Sequence, residues 1–255
     1  LLNKLRLRKL ISEKEYELAL LEHLPSRPLS IPNSAPHFTE QIKKQGIPLL
    51  HSTINYEMQL RTSKIINNHA KKLAQNGIDN AAAIIIDIET GDILSYVGNT
   101  TYSNRIDGHQ VDIIKSKRSS GSILKPFLYA MLMNDGQILP KTLVPDIPSY
   151  FSNYTPKNFD YKNCGAIGVD RAIAKSLNIP AVYMLEKYNY KKFHANLKRL
   201  GASTLTKNAE HYGLSIILGG AETSLWDLGR MYGGMARSLN HYTNNNSTYP
   251  CLLYT

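Results

Sequence analysis

The sequence has 255 residues, of which 42% are hydrophobic and 20% are charged, and its formal net charge is +10. This composition supports a folded domain with a buried core and excludes a disordered polyelectrolyte. The positive charge attracts polyanions, so charge alone leaves nucleic acid, an anionic membrane and an anionic cell-wall polymer open as partners.

Two short helices are predicted at the start of the sequence. Residues 4–23 split into two helical pieces, because Ser12 followed by Glu15 is a capping-box pattern. Prolines over residues 24–37 break regular structure and predict a linker. Since the chain starts at Leu1, within a helical pattern, we expect the natural protein to continue upstream.

A helix and a β-hairpin follow the linker. Apolar residues at helical spacing predict an amphipathic helix over 56–75, ended by Gly77, after a short strand at 51–54. The apolar runs at 81–88 and 93–97 flank a tight turn, which is typical of a β-hairpin.

Helical signals dominate the rest of the sequence. Helices are predicted over residues 121–134, 169–176, 181–188, 191–200 and 223–238, and no periodicity is visible over 240–255. A hairpin followed by many helices indicates an α+β domain, in which helices pack against an antiparallel sheet.

Ser122 and Lys125 form an S-x-x-K pattern at the start of a predicted helix. Gly121 permits a tight turn there, and the free N–H groups of a first helical turn favour an oxyanion. A serine needs a base to become a good nucleophile, and a lysine on the same helix face can serve if burial lowers its pKa. The pattern also arises by chance about once in a chain this long. The basic residues over 115–118 are either solvated, lower the pKa of Lys125 or attract an anionic substrate.

Ser176-Leu177-Asn178 is a second candidate element, at the end of a predicted helix. The serine hydroxyl can pass on a proton, and the asparagine amide can hold a lysine or a substrate carbonyl. Ser238-Leu239-Asn240 has the same letters. We favour the first copy because Pro180 imposes a sharp exit from its helix, whereas the second is typical of a cap or turn.

Other residues have ordinary structural interpretations. Gly219 and Gly220 either allow a close approach of the backbone to a substrate or shape a turn. Asp87 is expected to cap a turn, whereas Trp226 and Asp227 are expected to be a core residue and a surface charge.

Metal chemistry is not indicated. Cys164 and Cys251 do not form a C-x-x-C pair, which leaves one disulfide open but supports no zinc knuckle. The eight histidines show neither H-x-x-x-H nor H-E-x-x-H, so we expect no metal site.

Several segments in order resemble one protein family. Residues 118–127, around the S-x-x-K pattern, are similar to the nucleophile segment in the transpeptidase domain of bifunctional class A penicillin-binding proteins. Four further segments are similar to that family in the same order, at 89–94, 156–160, 175–182 and 214–221. The resemblance extends over residues 36–240 and is far more specific than S-x-x-K alone.

The resemblance implies a penicillin-binding, serine β-lactamase-like fold and a mechanism without metal or organic cofactor. Ser122 would attack the carbonyl between the last two D-alanines of a peptidoglycan stem peptide, and Lys125 would take its proton. Ser176 would relay a proton to the departing D-alanine, and Asn178 would position the peptide. Gly219 and Gly220 would lie on the substrate side.

The resemblance also implies a domain organisation and partners. Residues 1–35 are similar to the tail of a glycosyltransferase domain and its linker, and residues 36–255 to the transpeptidase domain. The implied partners are peptidoglycan stem peptides, the lipid-linked precursor and β-lactam antibiotics, with no nucleic acid. The implied location is extracytoplasmic, on the periplasmic side of the inner membrane, with an anchor upstream of this chain.

One departure from the family concerns its third motif, Lys-Thr-Gly or Lys-Ser-Gly, which the sequence lacks. Lys141-Thr142-Leu143 has no glycine and precedes Ser176, so we interpret it as a loop. The family's C-terminal strands are expected beyond Thr255, and we expect the chain alone to fold poorly and to turn over little.

Other functions share these sequence features. A D,D-carboxypeptidase, a β-lactamase and a β-lactam sensor of the same fold would acylate the same serine, although no glutamate that would prime a hydrolytic water is assignable. A non-catalytic basic binding module would explain the charge and the absent third motif, and it would form no covalent adduct.

Overall fold

The computed structural model describes residues 1–22, 32–101, 108–151 and 154–245. The chain divides into two compact units, Leu1–Asn33 and Ser34–Thr255. Most of the predicted linker lies outside the described residues, as does Cys251. Pro36, predicted to break structure, instead begins a helix, because a proline at the first helical position loses no intrahelical hydrogen bond.

The first unit contains helices α1 (Leu2–Leu7) and α2 (Glu13–Leu21). The predicted capping box is present: the backbone N–H of Glu15 donates to Ser12 Oγ over 3.2 Å, and the N–H of Ser12 donates to Glu15 Oε2 over 2.7 Å. These two bonds satisfy N–H groups that the start of a helix leaves without partners.

Helices α3 (Pro36–Lys44) and α4 (Tyr56–Leu73) open the second unit, and α4 runs into the 3₁₀ turn Ala74–Asn76. The predicted helix is confirmed, and Gly77 ends it with φ +73°. The predicted strand at 51–54 is wrong, since that segment has no regular structure.

The buried face of α4 is polar where its apolar residues were predicted to pack. Gln59 is buried and its Oε1 accepts hydrogen bonds from Ser95 Oγ (3.0 Å) and the N–H of Tyr96 (2.7 Å). Leu60 and Ile65 are exposed. A buried amide is needed here because the neighbouring strand offers polar groups that must be hydrogen-bonded.

The strands form three antiparallel pairs within the described residues. The predicted hairpin is confirmed as β1 (Ala83–Ile86) and β2 (Ile93–Val97). Its turn is capped as expected, since Asp87 Oδ1 accepts from the N–H groups of Glu89 and Thr90 at 2.9 and 2.8 Å. The other pairs join β3 (Arg118–Ser119) to β6 (Glu222–Thr223) and β4 (Leu143–Asp146) to β5 (Gly165–Gly168).

Helices supply most of the core. They are α5 (Lys125–Asn134), α6 (Val169–Ala174), α7 (Asn178–Tyr188), α8 (Tyr190–Arg199), α9 (Ala209–Tyr212) and α10 (Leu225–Asn245), with a 3₁₀ segment at Gly213–Leu218. Side chains such as Leu128, Leu185, Phe193 and Ile216 from four of these elements are fully buried together. This packing fixes the start of α5 and the start of α7 against each other, because interiors are close-packed.

One smaller expectation, that for Asp227, is wrong. Asp227 is not a surface charge: it is buried, and its Oδ2 accepts from the N–H (2.9 Å) and hydroxyl (2.8 Å) of Ser203. A buried carboxylate requires such partners. No helix of the described ranges is both long and apolar enough to span a membrane.

Candidate active site

Ser122 lies in a turn just before α5, in the segment 119–124 that we call the Ser122 turn. The helix was predicted to begin at 121, but it begins at Lys125. The residues before it form tighter turns with hydrogen bonds between positions i and i+3, such as that from the N–H of Lys125 to the Ser122 carbonyl over 3.0 Å. Gly121 has φ +52°, the left-handed conformation that glycine adopts at low cost. The Ser122 side chain is exposed, and no hydrogen bond of its hydroxyl is found in the described part of the chain.

Gly219 lies directly against the Ser122 turn. Its carbonyl accepts a hydrogen bond from Ser119 Oγ over 2.8 Å. A Cβ at Gly219 would stand 2.6 Å from that oxygen and 3.0 Å from the backbone nitrogen of Gly121, and its φ is +103°. Only glycine therefore permits this approach. Gly220 is equally constrained but by another neighbour, since a Cβ there would lie 2.1 Å from Ser215 Oγ.

Lys125 is the most buried polar member of the site, with 1% of its surface exposed. Its Nζ donates to the carbonyl of Ser176 (2.7 Å), to Ser176 Oγ (3.3 Å) and to Asn178 Oδ1 (2.8 Å). We call Lys125, Ser176 and Asn178 together the lysine pocket. All three acceptors are neutral, so they orient the amine without supplying a counter-charge.

The environment favours the neutral form of the lysine. Burial lowers the pKa of Lys125 from 10.5 to about 8, because a low-dielectric surrounding disfavours the ammonium. Burial is the cause, and the basic residues over 115–118 do not produce this shift. Lys115 instead lies 5.0 Å from the ring centre of Trp226. At neutral pH roughly a tenth of the Lys125 amine is unprotonated and can act as a base.

Ser176 has an unusual backbone conformation, with φ +52°. It follows α6, where its N–H donates to Ile173 and the N–H of Leu177 donates to Ala172, the two bonds of a Schellman motif. Glycine is the usual residue at this position because a side chain costs about 1 kcal/mol there. Ser176, whose hydroxyl contacts Lys125, therefore occupies a position at which glycine would make the fold more stable.

Asn178 is the first residue of α7, and its amide has a fixed orientation. Its Nδ2 donates to the carbonyl of Lys157 over 2.8 Å, so its Oδ1 faces Lys125. The structure thus brings Lys125, Ser176 and Asn178 into contact, and Ser122 is exposed on the turn that precedes α5. The second Ser-Leu-Asn copy lies inside α10, where Ser238 Oγ donates to the carbonyl of Gly234.

Sequence reasoning assigned no role to three residues that hold this site. Ser119 binds Gly219, Tyr232 donates to the carbonyl of Ile123 over 2.6 Å, and Asn158 contacts the start of α7. The only sequence signal for Asn158 is its place in the 156–160 segment.

No group of metal-ligating side chains occurs among the described residues. Cys164 is exposed and unpaired with any described cysteine. The polar groups in contact around Lys125 Nζ are a hydroxyl, a side-chain amide and a backbone carbonyl.

The chain is similar in sequence to known proteins. Residues 81–229 match the family described as the penicillin binding protein transpeptidase domain. The sequence motifs favour penicillin-binding protein 1C among its members, and this protein from Escherichia coli strain K12 is 33% identical over 211 residues, covering 82% of this chain and 27% of that protein. Penicillin-binding protein 1A of Clostridium acetobutylicum is 27% identical over 202 residues, covering 71% of this chain and 24% of that protein.

Solved structures show the same fold. Penicillin-binding protein 1A from Haemophilus influenzae superposes with a TM-score of 0.67 at 14% identity, over 91% of this chain and 50% of that one. PonA1 from Mycobacterium tuberculosis gives a TM-score of 0.58 at 17% identity, over 79% and 55%. The predicted α+β fold class is confirmed. The chain spans about a quarter of the length of these curated relatives.

Proposed function

Because the chain belongs to the penicillin-binding protein transpeptidase family, we propose that it is the acyl-transfer domain of a peptidoglycan D,D-transpeptidase with Ser122 as nucleophile. The domain is homologous to those of class A penicillin-binding proteins, which act in peptidoglycan synthesis. The proposal concerns the identity of the nucleophile, its base and its substrate.

The observation that carries the proposal is the lysine pocket. A lysine with 1% of its surface exposed and a pKa lowered to about 8 is unusual, and such a pKa is what a general base near neutral pH requires. It belongs to the first residue of α5, three residues after an exposed serine. Lysine and serine thereby share one turn of backbone.

The proposed acylation uses these groups in turn. The Oγ of Ser122 forms a bond to the carbonyl carbon between the last two D-alanines, while its proton passes to the neutral amine of Lys125. The C–N bond then breaks, and the departing D-alanine amine takes a proton through the hydroxyl of Ser176. Asn178 holds Lys125 from the other side through its Oδ1 and positions the peptide.

Transfer reverses these proton movements. An amine from a neighbouring stem peptide attacks the ester carbonyl and loses a proton, the ester C–O bond breaks as the new amide bond forms, and the Ser122 oxygen regains a proton. A penicillin would acylate the same oxygen by opening its lactam ring. PonA1, whose fold this chain shares, has been solved in complex with penicillin V.

The Ser122 turn also has a backbone N–H that could donate a hydrogen bond to an oxyanion. No described group accepts a hydrogen bond from the backbone N–H of Ser122, so this N–H is available to an oxyanion. Gly219, whose backbone reaches the turn at Gly121, would line the substrate side together with Gly220.

The wider setting is also proposed from the family. Peptidoglycan stem peptides, the lipid-linked precursor and β-lactam antibiotics are the proposed partners, and the proposed location is extracytoplasmic, with membrane anchoring in the whole protein. The proposed organisation places a glycosyltransferase tail and linker in residues 1–35 and the transpeptidase domain in 36–255.

Labelling with a fluorescent penicillin tests the proposal. The chain, and the longest reading frame that contains it, are incubated with the label and separated on a denaturing gel beside Ser122→Ala. We expect a covalent band that Ser122→Ala abolishes without loss of folding, because the hydroxyl is exposed. The matched control is Ser238→Ala, in the second Ser-Leu-Asn copy, which should stay labelled.

Three outcomes would count against the assignment. An unlabelled protein in both forms would remove the enzyme function and favour the basic binding module. A band that persists in Ser122→Ala would move the nucleophile elsewhere. A band that forms and disappears within seconds would indicate a hydrolase of the β-lactamase type.

A further inference from the structure

The N-terminus of α7 is capped by a residue from a distant segment. A helix start leaves several N–H groups without intrahelical partners, and Leu177, which precedes α7, has no polar side chain to accept from them. Asn158 Oδ1 accepts from the N–H of Asn178 (2.9 Å) and of Ile179 (3.3 Å). Asn158 is buried, with 3% exposure, so water does not replace it in this role.

The orientation of the Asn158 amide is fixed by Asp146. Asn158 Nδ2 donates to Asp146 Oδ1 over 2.7 Å and to the carbonyl of Lys162 over 2.8 Å. Both partners are acceptors, so the oxygen of the amide has to face α7. Asp146 is completely buried, and its second oxygen accepts from the N–H of Cys164 over 2.8 Å.

The same segment also fixes the side chain of Asn178. The carbonyl of Lys157 accepts from Asn178 Nδ2 over 2.8 Å, which leaves Asn178 Oδ1 to accept from Lys125 Nζ over 2.8 Å. Residues 157 and 158 thus hold both the backbone and the side chain of Asn178. The chain of contacts runs from Asp146 through Asn158 and Asn178 to Lys125.

We propose that Asn158, oriented by Asp146, is a positioning residue that holds Asn178 against Lys125 and so sets the geometry of the base. Asn158 does not touch Lys125 or the proposed substrate, and it acts through Asn178. The inference rests on the proposed function for its catalytic consequence, but the placement of Lys125 can be measured without catalysis.

The experiment introduces Asn158→Ala into the 255-residue chain. Asn99→Ala is a matched control, because Asn99 is equally buried (1% exposed) and its Nδ2 also donates to an acceptor side chain and to main-chain carbonyls, away from Lys125. Asp146→Asn is a milder variant that keeps the volume of the side chain and loses an acceptor. Thermal unfolding verifies that each variant is folded.

The first readout is the pKa of Lys125, measured by NMR titration of ¹³Cε-labelled lysine and assigned with Lys125→Met. Loss of the Asn178 acceptor removes a hydrogen bond that favours the ammonium, so we expect Asn158→Ala to lower the pKa by about one unit. Asp146→Asn should produce a smaller shift in the same direction, and Asn99→Ala none.

The second readout is the rate of labelling by fluorescent penicillin. We expect a loss of about tenfold or more in Asn158→Ala. Adding Asn158→Ala to Asn178→Ala should cost little further, because residues that act through one contact are not additive. In the double variant of Asn99→Ala and Asn178→Ala, the fold-losses in labelling rate of the two single variants should multiply.

The outcomes separate the two proposals. An unchanged pKa of Lys125 in both Asn158→Ala and Asp146→Asn overturns the positioning role, whatever the labelling shows, and so does a rise toward 10.5, which would indicate general opening of the pocket. A lowered pKa in a chain that penicillin does not label supports the positioning role and counts against the proposed function.

Discussion

The two sides of the candidate active site are built in different ways. In the lysine pocket, Lys125 is buried, and its Nζ donates three hydrogen bonds to Ser176, which is exposed, and Asn178, which is half-buried. The Ser122 turn is exposed at Ser122 and is shaped mainly by backbone bonds and by glycines such as Gly121. The difference indicates that the proposed base is organised before a substrate arrives, while the proposed nucleophile stays accessible.

This contrast separates what each side contributes. A buried, hydrogen-bonded group keeps its geometry but carries a large desolvation cost. An exposed turn carries little such cost, and its position depends on how closely neighbouring backbone can approach. Substitutions in the pocket should therefore change chemistry strongly, whereas substitutions in the turn should change it through backbone shifts.

The largest effect is expected for Lys125→Met. Removing the base should slow acylation by fluorescent penicillin by about 10³-fold, measured as a second-order rate constant. In the native chain the rate should rise as pH increases through about 8, the pKa of Lys125, since the neutral amine is the proposed base. A flat profile between pH 6 and 9 would contradict the assignment of Lys125.

The same variant should alter how stability depends on pH. The pKa of Lys125 is about 8 in the folded chain and 10.5 for an ordinary lysine. Between these two pKa values the Lys125 amine is protonated in the unfolded chain and neutral in the folded chain. The contribution of Lys125 to the free energy of unfolding therefore rises with pH. Relative to Lys125→Met, the native chain should gain on the order of 3 kcal/mol from pH 8 to 10.5, measured by chemical denaturation.

Substitution of Ser176 should separate stability from chemistry in the pocket. Ser176→Gly and Ser176→Ala both remove the hydroxyl, and each should slow acyl transfer by about 10²-fold. Glycine tolerates the φ of +52°, so Ser176→Gly should be more stable than Ser176→Ala by about 1 kcal/mol. Equal stability of the two variants would contradict the strained conformation.

The sequence predicts the regular elements well because they depend on local periodicity. The hairpin around Asp87 follows from two apolar runs separated by a turn signal. The start of α5 was predicted too early, since Gly121 signals a turn without specifying how many residues it contains. The polar character of the buried face of α4 was not predicted, because Gln59 is buried by its hydrogen bonds to polar groups on β2, which are distant in sequence.

The site shows the same division. Ser122 and Lys125 can be found by spacing along one turn, and Ser176 and Asn178 by a short motif. Asn158 cannot, because its role depends on contacts with residues 12 and 20 positions away. The burial that lowers the pKa of Lys125 is likewise a property of the packed helices.

Gly219→Ala tests how far the Ser122 turn depends on close backbone approach. The new Cβ would meet Ser119 Oγ at 2.6 Å and the nitrogen of Gly121 at 3.0 Å, at a φ of +103°. We expect a loss of about 2 kcal/mol in stability and about tenfold in labelling rate. Gly77→Ala is the matched control, with φ +73° but no atom within 4 Å of its Cβ. It should lose stability without losing labelling.

The smallest effect is expected for Tyr232→Phe, which removes the side-chain bond from α10 to the Ser122 turn. Tyr232 donates to the Ile123 carbonyl over 2.6 Å, and its ring lies 4.8 Å from that of Phe127, a contact that phenylalanine keeps. Because Ile123 is partly exposed, water can replace the donor, so we expect a loss of about 1 kcal/mol and less than threefold in labelling rate. A loss as large as that of Ser176→Ala would show that the turn is held as rigidly as the lysine pocket, and the contrast between the two sides would be wrong.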